Sequence, residues 1–542
     1  EIRLSLVGSE MCIRDRADYP ETPDDPLGGA QVVSWPLADA SGEPTVRRLL
    51  FSESQPLPLP PTSGAWLVPF SGGEAGIAST AVGFGNQPPV AAVQFQSQTG
   101  VVPFTCVADA SASSDPDGDE LTYNWVFGDE LSLFLGGFFN PADQGTQFSS
   151  EIETPGEYML FLLVRDSHGA VDFIFEDVLA VENAGWAIVD LDMGERHPNL
   201  DELQDVDICE VGGLGCIGYS LNTGGGSHVY LMQAERLFDS NWQVYDFVYG
   251  QSNVNYTEVA VAEIGGTCAV AAALDRGGNG ESIFARQIES GETGLYNTHT
   301  FEQPASALSG IDMANVNGQA MIAYRNNVLG ELRFCVALDE GAQNFLGPVS
   351  LAITGAPSSQ ISLKEIDGAP AFCYWAGPNS FRLRYHSAVM NGALPVFDSG
   401  TTLRILNSGY LSDALVVLED GSPAVLYGIP TETAIYGFHA SDPQASMWND
   451  DGEVSQPNTP IAEYCAGLHG GKPAMLWYDL LEAALYYQRA TDSQGTSWGP
   501  AELVDDTLAL GTRPCMTEIN GVPAIAYIDK GQNVISYGLY VE

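Results

Sequence analysis

A glycine that recurs at nearly constant spacing constrains the fold of this chain more than any other feature. Glycines preceded by Asn, Asp or Gly occur at positions 213, 266, 318, 368, 421, 471 and 521, at spacings of 50 to 53 residues. Such dipeptides between apolar runs mark two-residue β-hairpins, because both turn residues need positive φ. Six residues after each glycine comes an aromatic residue, except in the second repeat, which has Ala272. Seven coincident marks at one period predict a repeat architecture.

The strand after each turn alternates large and small side chains. Phe372 and Tyr374 alternate with Ala371 and Cys373, for example, and both sets lack charge. A sheet buried on both faces, with a bulky face packed on the lean face of its neighbour, is typical of radially stacked propeller blades. A solvated sheet would show one polar face instead.

Each repeat also predicts a third strand, and most predict a fourth, such as 498–504 in the sixth repeat. The last repeat ends after its third strand, and the apolar segment 186–192 (WAIVDLD) resembles the other fourth strands. We therefore predict that residues 184–542 form a seven-bladed β-propeller closed by this N-terminal strand. An open solenoid of β-hairpins is the alternative, and strand closure argues against it.

Residues 86–183 predict a separate small β-sandwich of short alternating strands. The pieces 86–89, 109–119, 123–129, 155–158 and 164–169 resemble the PKD domain, an immunoglobulin-like sandwich common in secreted bacterial proteins. The segment departs from the usual W-D-F-G-D-G, since it reads Trp125-Val126-Phe127-Gly128-Asp129-Glu130. The whole chain is thus expected to be all-β.

An acidic turn within the sandwich, Asp115-Pro-Asp117-Gly-Asp119, offers hard oxygen ligands of the kind that Ca²⁺ prefers. The PKD resemblance implies calcium ligands at Asn86, Asp115, Asp117 and Asp166. The alternative is a solvated turn whose aspartates cap the backbone. No other cofactor is expected.

The N-terminal residues are set aside from the fold. Residues 1–16 resemble a translated sequencing adapter, and residues 17–85 read as a linker or the end of a truncated upstream domain. We expect the adapter-like residues to make no packed contacts. The sequence has no apolar run long enough to span a membrane. Since the true N-terminus is expected to be missing, the absence of a signal peptide is uninformative, and an extracellular or cell-surface location is predicted from the domains.

The charge balance excludes one class of partner. The formal net charge is −50, and only three lysines occur. Nucleic-acid binding needs Lys and Arg to neutralise phosphates, so a nucleic-acid partner is not expected.

Catalytic motifs are scarce. The segment 491–498 (TDSQGTSW) resembles the Asp-box of sialidase propellers, with Ser493 at the position of its aspartate. We interpret it as a turn with a hydrophobic peg. Sialidase chemistry needs an arginine triad, and no such triad can be assembled from the arginine positions.

Ligand sites on propellers usually lie at the mouth of the central channel. Residues entering first strands or leaving second strands are therefore the candidates for ligand binding, with Trp375 offering a ring that could stack on a sugar. A buried blade aromatic is the alternative for Trp375. The full candidate set is Trp375, Arg325, Asn326, Arg276, Asp207, Asp312, Asp479 and Asp529.

These features favour a non-catalytic binding or adhesion protein, whose propeller recognises a glycan or an extracellular protein with the PKD-like domain as spacer. The alternative is an extracellular glycoside hydrolase or polysaccharide lyase acting at the channel mouth. Convergent carboxylates with a raised pKa in that mouth would favour the enzyme. The sequence does not identify the ligand or the oligomeric state.

One cysteine pair tests the predicted register. Cys209 and Cys216 flank the Gly212-Gly213 turn symmetrically, so they should face each other across the first hairpin. Directly paired residues lie within disulfide range. Contact between them is expected, and a bridge between them is an open alternative.

Overall fold

The computed structural model contains β-strands and no helix among the residues that it describes. These are residues 86–128, 144–191 and 202–542, apart from 223–226, 235, 239, 241, 252–255, 276–279, 288–295, 307, 340, 352–356, 378–380, 393, 407–412, 430–432, 456–460 and 507–512. Before residue 86 the structure describes the backbone of two hairpins, Leu4–Val7 with Glu10–Ile13 and Gln31–Ser34 with Arg47–Leu50. The packing of residues 1–16 lies outside the described residues, so their predicted artefactual origin stays a prediction.

The sandwich consists of two sheets. One has the strand order Thr99–Val101, Val171–Val181, Gly156–Arg165 and Thr122–Gly128; the other has Gln94–Phe95, Phe104–Asp109 and Gln147–Ile152. Trp125 and Leu162 are buried in its core, together with Ala108 and Val164. The short alternating strands that the sequence predicts for this segment are present, for example at Thr122–Gly128 and Gly156–Arg165.

The C-terminal part comprises seven antiparallel sheets, which we number I to VII. The first four contain these strands, in chain order: I, Glu202–Val211, Leu214–Asn222, Ser227–Gln233 and Gln243–Gln251; II, Tyr256–Ile264, Thr267–Asp275, Gly280–Gln287 and Tyr296–Ser306; III, Leu308–Val316, Gln319–Asn326, Glu331–Ala337 and Phe345–Ser350; IV, Pro357–Ile366, Ala369–Ala376, Phe381–Asn391, Leu394–Phe397 and Thr401–Leu406. The last three follow: V, Asp413–Val417, Pro423–Gly428, Ile435–Ala440 and Trp448–Ser455; VI, Ile461–His469, Lys472–Asp479, Ala484–Arg489 and Glu502–Asp505; VII, Cys515–Ile519 as first strand, Val522–Asp529 as second, Val534–Val541 as third and the N-terminal strand Gly185–Asp190 as fourth.

The recurring hairpins form at the predicted positions. Gly213, Gly318 and Gly521, for example, all have positive φ, as do the residues that precede them. The fourth strand of sheet VI differs from the prediction, because it covers Glu502–Asp505 instead of starting at Trp498. Trp498 makes only an isolated bridge to Ala490, since Gly499 and Pro500 interrupt the strand behind it.

Bulky and lean faces meet between successive sheets, as the alternation predicts. Ala269 and Ala271 of sheet II pack against Ile322 and Tyr324 of sheet III in one buried cluster. The same pattern joins sheet VII back to sheet I, where Ala524 and Ala526 share a cluster with the following residues of sheet I: Ile208, Ile217 and Tyr219. The first strands of the seven sheets adjoin one another in cyclic order. They therefore surround a common axis.

The predicted N-terminal closing strand is present. Gly185–Asp190 pairs antiparallel with Val534–Val541, so that Trp186 lies opposite Tyr540. The Trp186 ring packs edge-on against Tyr487 of sheet VI and Tyr540 of sheet VII, at centroid distances of 5.1 and 5.2 Å. Residues far apart in the chain thus complete one sheet.

Deleting residues 186–190 should expose the edge of Val534–Val541 and remove the Trp186 contacts. We expect a melting temperature lower by about 5 °C or more, because the deletion removes the packing of the half-buried Trp186 together with a strand of backbone hydrogen bonds. The exposed edge should also promote self-association. Differential scanning calorimetry and light scattering measure both effects, and deletion of 56–60 is the length-matched control. Equal melting of the two deletion variants would contradict the closing role.

Candidate functional site

The candidate site is the inner surface of the ring, where the first strands face the axis. Each first strand lies at the edge of its sheet, so one of its edges has no strand partner. Acidic side chains of the preceding sheet accept hydrogen bonds from backbone N–H groups along this unpaired edge. Asp205 and Asp207 of sheet I accept hydrogen bonds from the backbone N–H groups of Val259 and Val261 in sheet II, at 2.9 and 2.8 Å.

The same contact recurs around the ring. Glu258 accepts from Gly310, and Asp312 accepts from Leu363 at 2.7 Å. Further junctions use Ser362 with Leu415 at 3.0 Å, Glu463 with Arg513 at 2.9 Å and Asn533 with Leu203 at 3.2 Å. The carboxylates thus satisfy backbone donors that would otherwise lack a partner.

Burial makes these acids reluctant to ionise. It raises the pKa of Asp205 to about 7, against the opposing charge of Arg513. Burial and the nearby Asp312 raise the pKa of Asp207 to about 7. The pKa values of Glu258 and Asp312 are raised by the same desolvation.

Three basic side chains at this surface lower the pKa values of the acids and so act against the effect of burial. Lys364 lowers the pKa of both Asp207 and Asp312, whereas Arg513 acts on Asp205 and Glu258. Arg325 is a further favourable charge for Glu258. We call these seven residues the channel cluster: Asp205, Asp207, Glu258, Asp312, Arg325, Lys364 and Arg513.

Three predicted ligand residues, Asp207, Asp312 and Arg325, therefore lie together in this cluster. Sequence reasoning missed the other four members. A signal for them existed, because the polar side chains of the ring contacts mostly stand six or eight residues before the hairpin glycine. Asp205 and Asp207 do so in sheet I, and Glu463 does so in sheet VI.

Three other predicted residues cap turns. The side-chain oxygen of Asn326 accepts the N–H of Leu329 at 3.0 Å. Asp479 accepts from Leu481 and Glu482, and Asp529 accepts from Gly531 and Gln532, in the turns between second and third strands. All three are buried. Their spacing from the hairpin glycine, eight residues in each repeat, could have identified this shared turn role.

Trp375 does not offer a stacking surface. It is fully buried and packs edge-on against Tyr427 at 5.7 Å, so the buried-aromatic alternative is correct. The remaining predicted residue, Arg276, lies outside the described residues.

The Asp-box-like segment of sheet VI forms a turn with a peg, as expected. Asp492 replaces the displaced box aspartate, since its Oδ1 accepts the N–H groups of Gln494 and Thr496 at 3.0 and 3.1 Å. The Trp498 ring packs against the core between sheets V and VI. In sheet V, Asp442 and Trp448 repeat the arrangement.

The predicted contact between the two cysteines is present, whereas the alternative of a bridge between them is not. Cys209 and Cys216 are directly paired across the first hairpin, which confirms the register. The disulfide, however, joins Cys216 to Cys268 of sheet II, and the bridge between Cys209 and Cys216 is wrong. Cys209 Sγ lies 3.7 Å from Cys268 Sγ. The bridging partner comes from the adjacent sheet, which the register of one hairpin does not specify.

A second candidate site lies in the sandwich, at its acidic turn. Carboxylate oxygens of Asp115, Asp119 and Asp166 lie within 4.8 Å of one another. Asn86 donates to Asp166 at 2.7 Å, which brings a second part of the chain to the cluster. Asp117, a predicted ligand, is exposed and instead accepts the N–H of Gln87 at 2.5 Å.

In the described part of this turn, one carboxylate oxygen has no hydrogen-bond partner, and another accepts from a histidine. The Oδ2 atom of Asp115 is buried and has no hydrogen-bond partner among the described residues. Asp119 accepts from His168 Nδ1 at 2.7 Å, and this contact raises the pKa of His168.

The comparisons with known proteins concern both regions. Residues 86–181 match the family model described as the PKD domain. No curated relative matches the chain. No helix able to cross a membrane occurs in the part of the chain that is described.

Several solved structures are similar to the chain. A mutant of NanB sialidase from Streptococcus pneumoniae has 9% identity and a TM-score of 0.39, over 84% of this chain and 93% of that one. The fucose-specific lectin from Aleuria aurantia has 13% identity and a TM-score of 0.35, over 53% and 91%. Trypanosoma rangeli sialidase has 9% and 0.36, over 66% and 60%. Similarities this distant assign no substrate or activity.

The raised pKa values of the channel cluster make stability depend on pH. For Asp205 and Asp207 the folded pKa, about 7, exceeds the ordinary value of 3.8. The folded state therefore holds protons more tightly, so their contribution to stability is complete below pH 3.8 and is lost as the pH rises through about 7.

We expect the melting temperature to fall between about pH 5 and pH 8, and the double variant Asp205→Asn/Asp207→Asn to flatten this fall by at least about 2 °C. Asparagine keeps an oxygen that accepts the same N–H groups without the titration. Asp117→Asn, at an exposed turn of the sandwich, is the control for removing charge alone. Identical slopes for the double variant and the parent would show that these carboxylates do not titrate as described.

Proposed function

We propose that this chain is an extracellular binding protein whose seven-bladed ring recognises a neutral glycan without catalysing its cleavage. The observation that carries the proposal is the use of the channel carboxylates. Asp205, Asp207, Glu258 and Asp312 each accept a backbone N–H from the next sheet. Asp312 has both oxygens engaged, since Oδ1 also accepts from Met313 at 2.8 Å. These acids hold sheets together, which leaves them poorly placed for acid–base work on a substrate.

Two further features support the proposal. The net charge of −50 disfavours anionic ligands such as acidic sugars. The Cys216–Cys268 disulfide favours an oxidising, extracellular compartment. In this proposal the sandwich, with its boundary near residue 184, serves as a spacer.

The rival function is glycoside hydrolysis or polysaccharide cleavage at the channel mouth. The raised pKa values of Asp205 and Asp207 favour it, because a general acid needs a carboxyl that is protonated near neutral pH.

A glycan array combined with product analysis separates the two functions. We expect the parent to bind neutral glycans, to leave them intact, and to bind them equally well after Asp205→Asn/Asp207→Asn. Cleavage of a bound glycan by the parent, lost in the double variant, would establish the rival function. Absence of any glycan binding would overturn the proposal.

We also propose that the acidic turn of the sandwich binds Ca²⁺. The buried Oδ2 of Asp115 and its proximity to Asp119 and Asp166 support this, because a hard cation would satisfy three converging carboxylates. Asn86 completes the set if its amide oxygen turns towards the cluster. Calcium would stabilise the turn that joins the start of the domain to its late strand.

Calorimetric titration with CaCl₂ tests this site. Asp115→Asn should weaken Ca²⁺ binding at least about tenfold, whereas Asp117→Asn, the matched control on the same turn, should change it little. Bound Ca²⁺ should also lower the pKa of His168, because it neutralises the Asp119 charge that raises it. Equal loss in both variants, or an unaffected Asp115→Asn, would contradict the ligand set.

A further inference from the structure

Among the described residues, sheet IV is the one sheet of the ring that has a fifth strand. Its third strand, Phe381–Asn391, pairs with Leu394–Phe397 at one end and with Thr401–Leu406 at the other. The added hairpin lies at the outer side of the sheet, and its apolar residues Val389 and Val396 are exposed.

A cavity of about 180 Å³ is lined by this hairpin together with residues at the end of sheet III. Apolar walls come from Phe372, Pro395 and Phe397. Polar groups come from Ser350, His386 and Asp398. Aromatic walls with a few polar groups are typical of small-molecule sites.

The aromatic wall is rigid. The His386 ring is only 2% exposed and stacks on Phe372 at 5.1 Å with an interplanar angle of 6°. Phe397 packs edge-on against Phe372 at 5.2 Å. His386 Nε2 lies 3.4 Å from the Tyr374 hydroxyl, which fixes the ring at its far side.

The polar wall is held in place from behind. Arg384, itself 9% exposed, donates to the carbonyls of Ser399 and Gly400 at 2.7 and 3.3 Å. Gly400 has a φ of 73°, and a Cβ there would lie 2.2 Å from the His386 ring. Only glycine therefore lets this loop close over the histidine and present Asp398 to the cavity.

We propose that this cavity binds one neutral pyranose residue of a glycan, an inference that rests on the proposed function. A cavity of roughly 150 Å³ holds benzene. A pyranose has more heavy atoms than benzene, so this open-sided cavity takes the face of one sugar ring while the remaining hydroxyls stay outside it. A pyranose has an apolar C–H face for the half-buried Pro395 and Phe397, which the fully buried Phe372 supports from behind, and hydroxyls that donate to the exposed Asp398 carboxylate. That carboxylate and the net charge of −50 disfavour acidic sugars.

Two substitutions test the cavity without emptying the core. Ser350→Trp places an indole at the exposed mouth, and Asp398→Asn removes the charge while keeping an oxygen for the turn. Val349→Trp is the matched control, because Val349 is exposed on the same strand and its side chain points to the opposite face. Melting curves establish that each variant is folded.

Affinity is measured by calorimetry with neutral glycans that the array identifies, and with their methyl glycosides. We expect binding at least about tenfold weaker for Ser350→Trp, weaker for Asp398→Asn, and unchanged for Val349→Trp. If the parent binds neutral glycans and both cavity variants bind equally well, the cavity is not the site, although the proposed function stands. If the parent binds none, both proposals fail. Equal binding of acidic glycans in the cavity would overturn the ligand class.

Discussion

The unpaired edge of each innermost strand is the constraint on which this ring depends. Backbone N–H groups along such an edge need acceptors, and water or another chain would otherwise supply them. Here side chains from the preceding sheet supply them instead, most often carboxylates such as Asp207 and Asp312. The contact joins neighbouring sheets at the axis. It also concentrates acids in a buried place, which is why their pKa values rise.

Apolar packing between the sheets adds to these hydrogen bonds at the inner strand edges. A large residue on one sheet fills the space left by alanines on the next, as Tyr324 does against Ala271. The junction of sheets I and II lacks the aromatic, since Ala272 occupies its position. The Cys216–Cys268 disulfide lies at this same junction. A covalent link thus stands at the junction where the repeat has lost its aromatic residue.

The fold was largely predictable because its signals are local. The turn dipeptides and the alternation of large and small side chains each span only about ten residues. The second strand of sheet III, Gln319–Asn326, forms where these signals predict it. The site was less predictable, because position in a strand does not specify what a side chain contacts. Asn326 and Asp479 stand where ligands often bind in propellers, yet they cap their own turns. Trp375 lies on a face whose burial depends on the next sheet. The cavity beside the outer hairpin of sheet IV depends on where that inserted hairpin lies in the folded chain, and the repeat pattern does not specify this.

The repeated inner strands and the inserted outer hairpin differ in how freely their residues can change. Residues of the channel cluster are tied to the backbone of the next sheet, so that changing one of them disturbs the junction between two sheets. The outer hairpin of sheet IV instead pairs with the third strand of its own sheet, while the inner strands of that sheet keep the common register. Arg384 and Gly400 position the added loop through contacts within sheet IV. A ring held at its axis can therefore vary at its rim, and the rim is where this chain departs most from its own repeat.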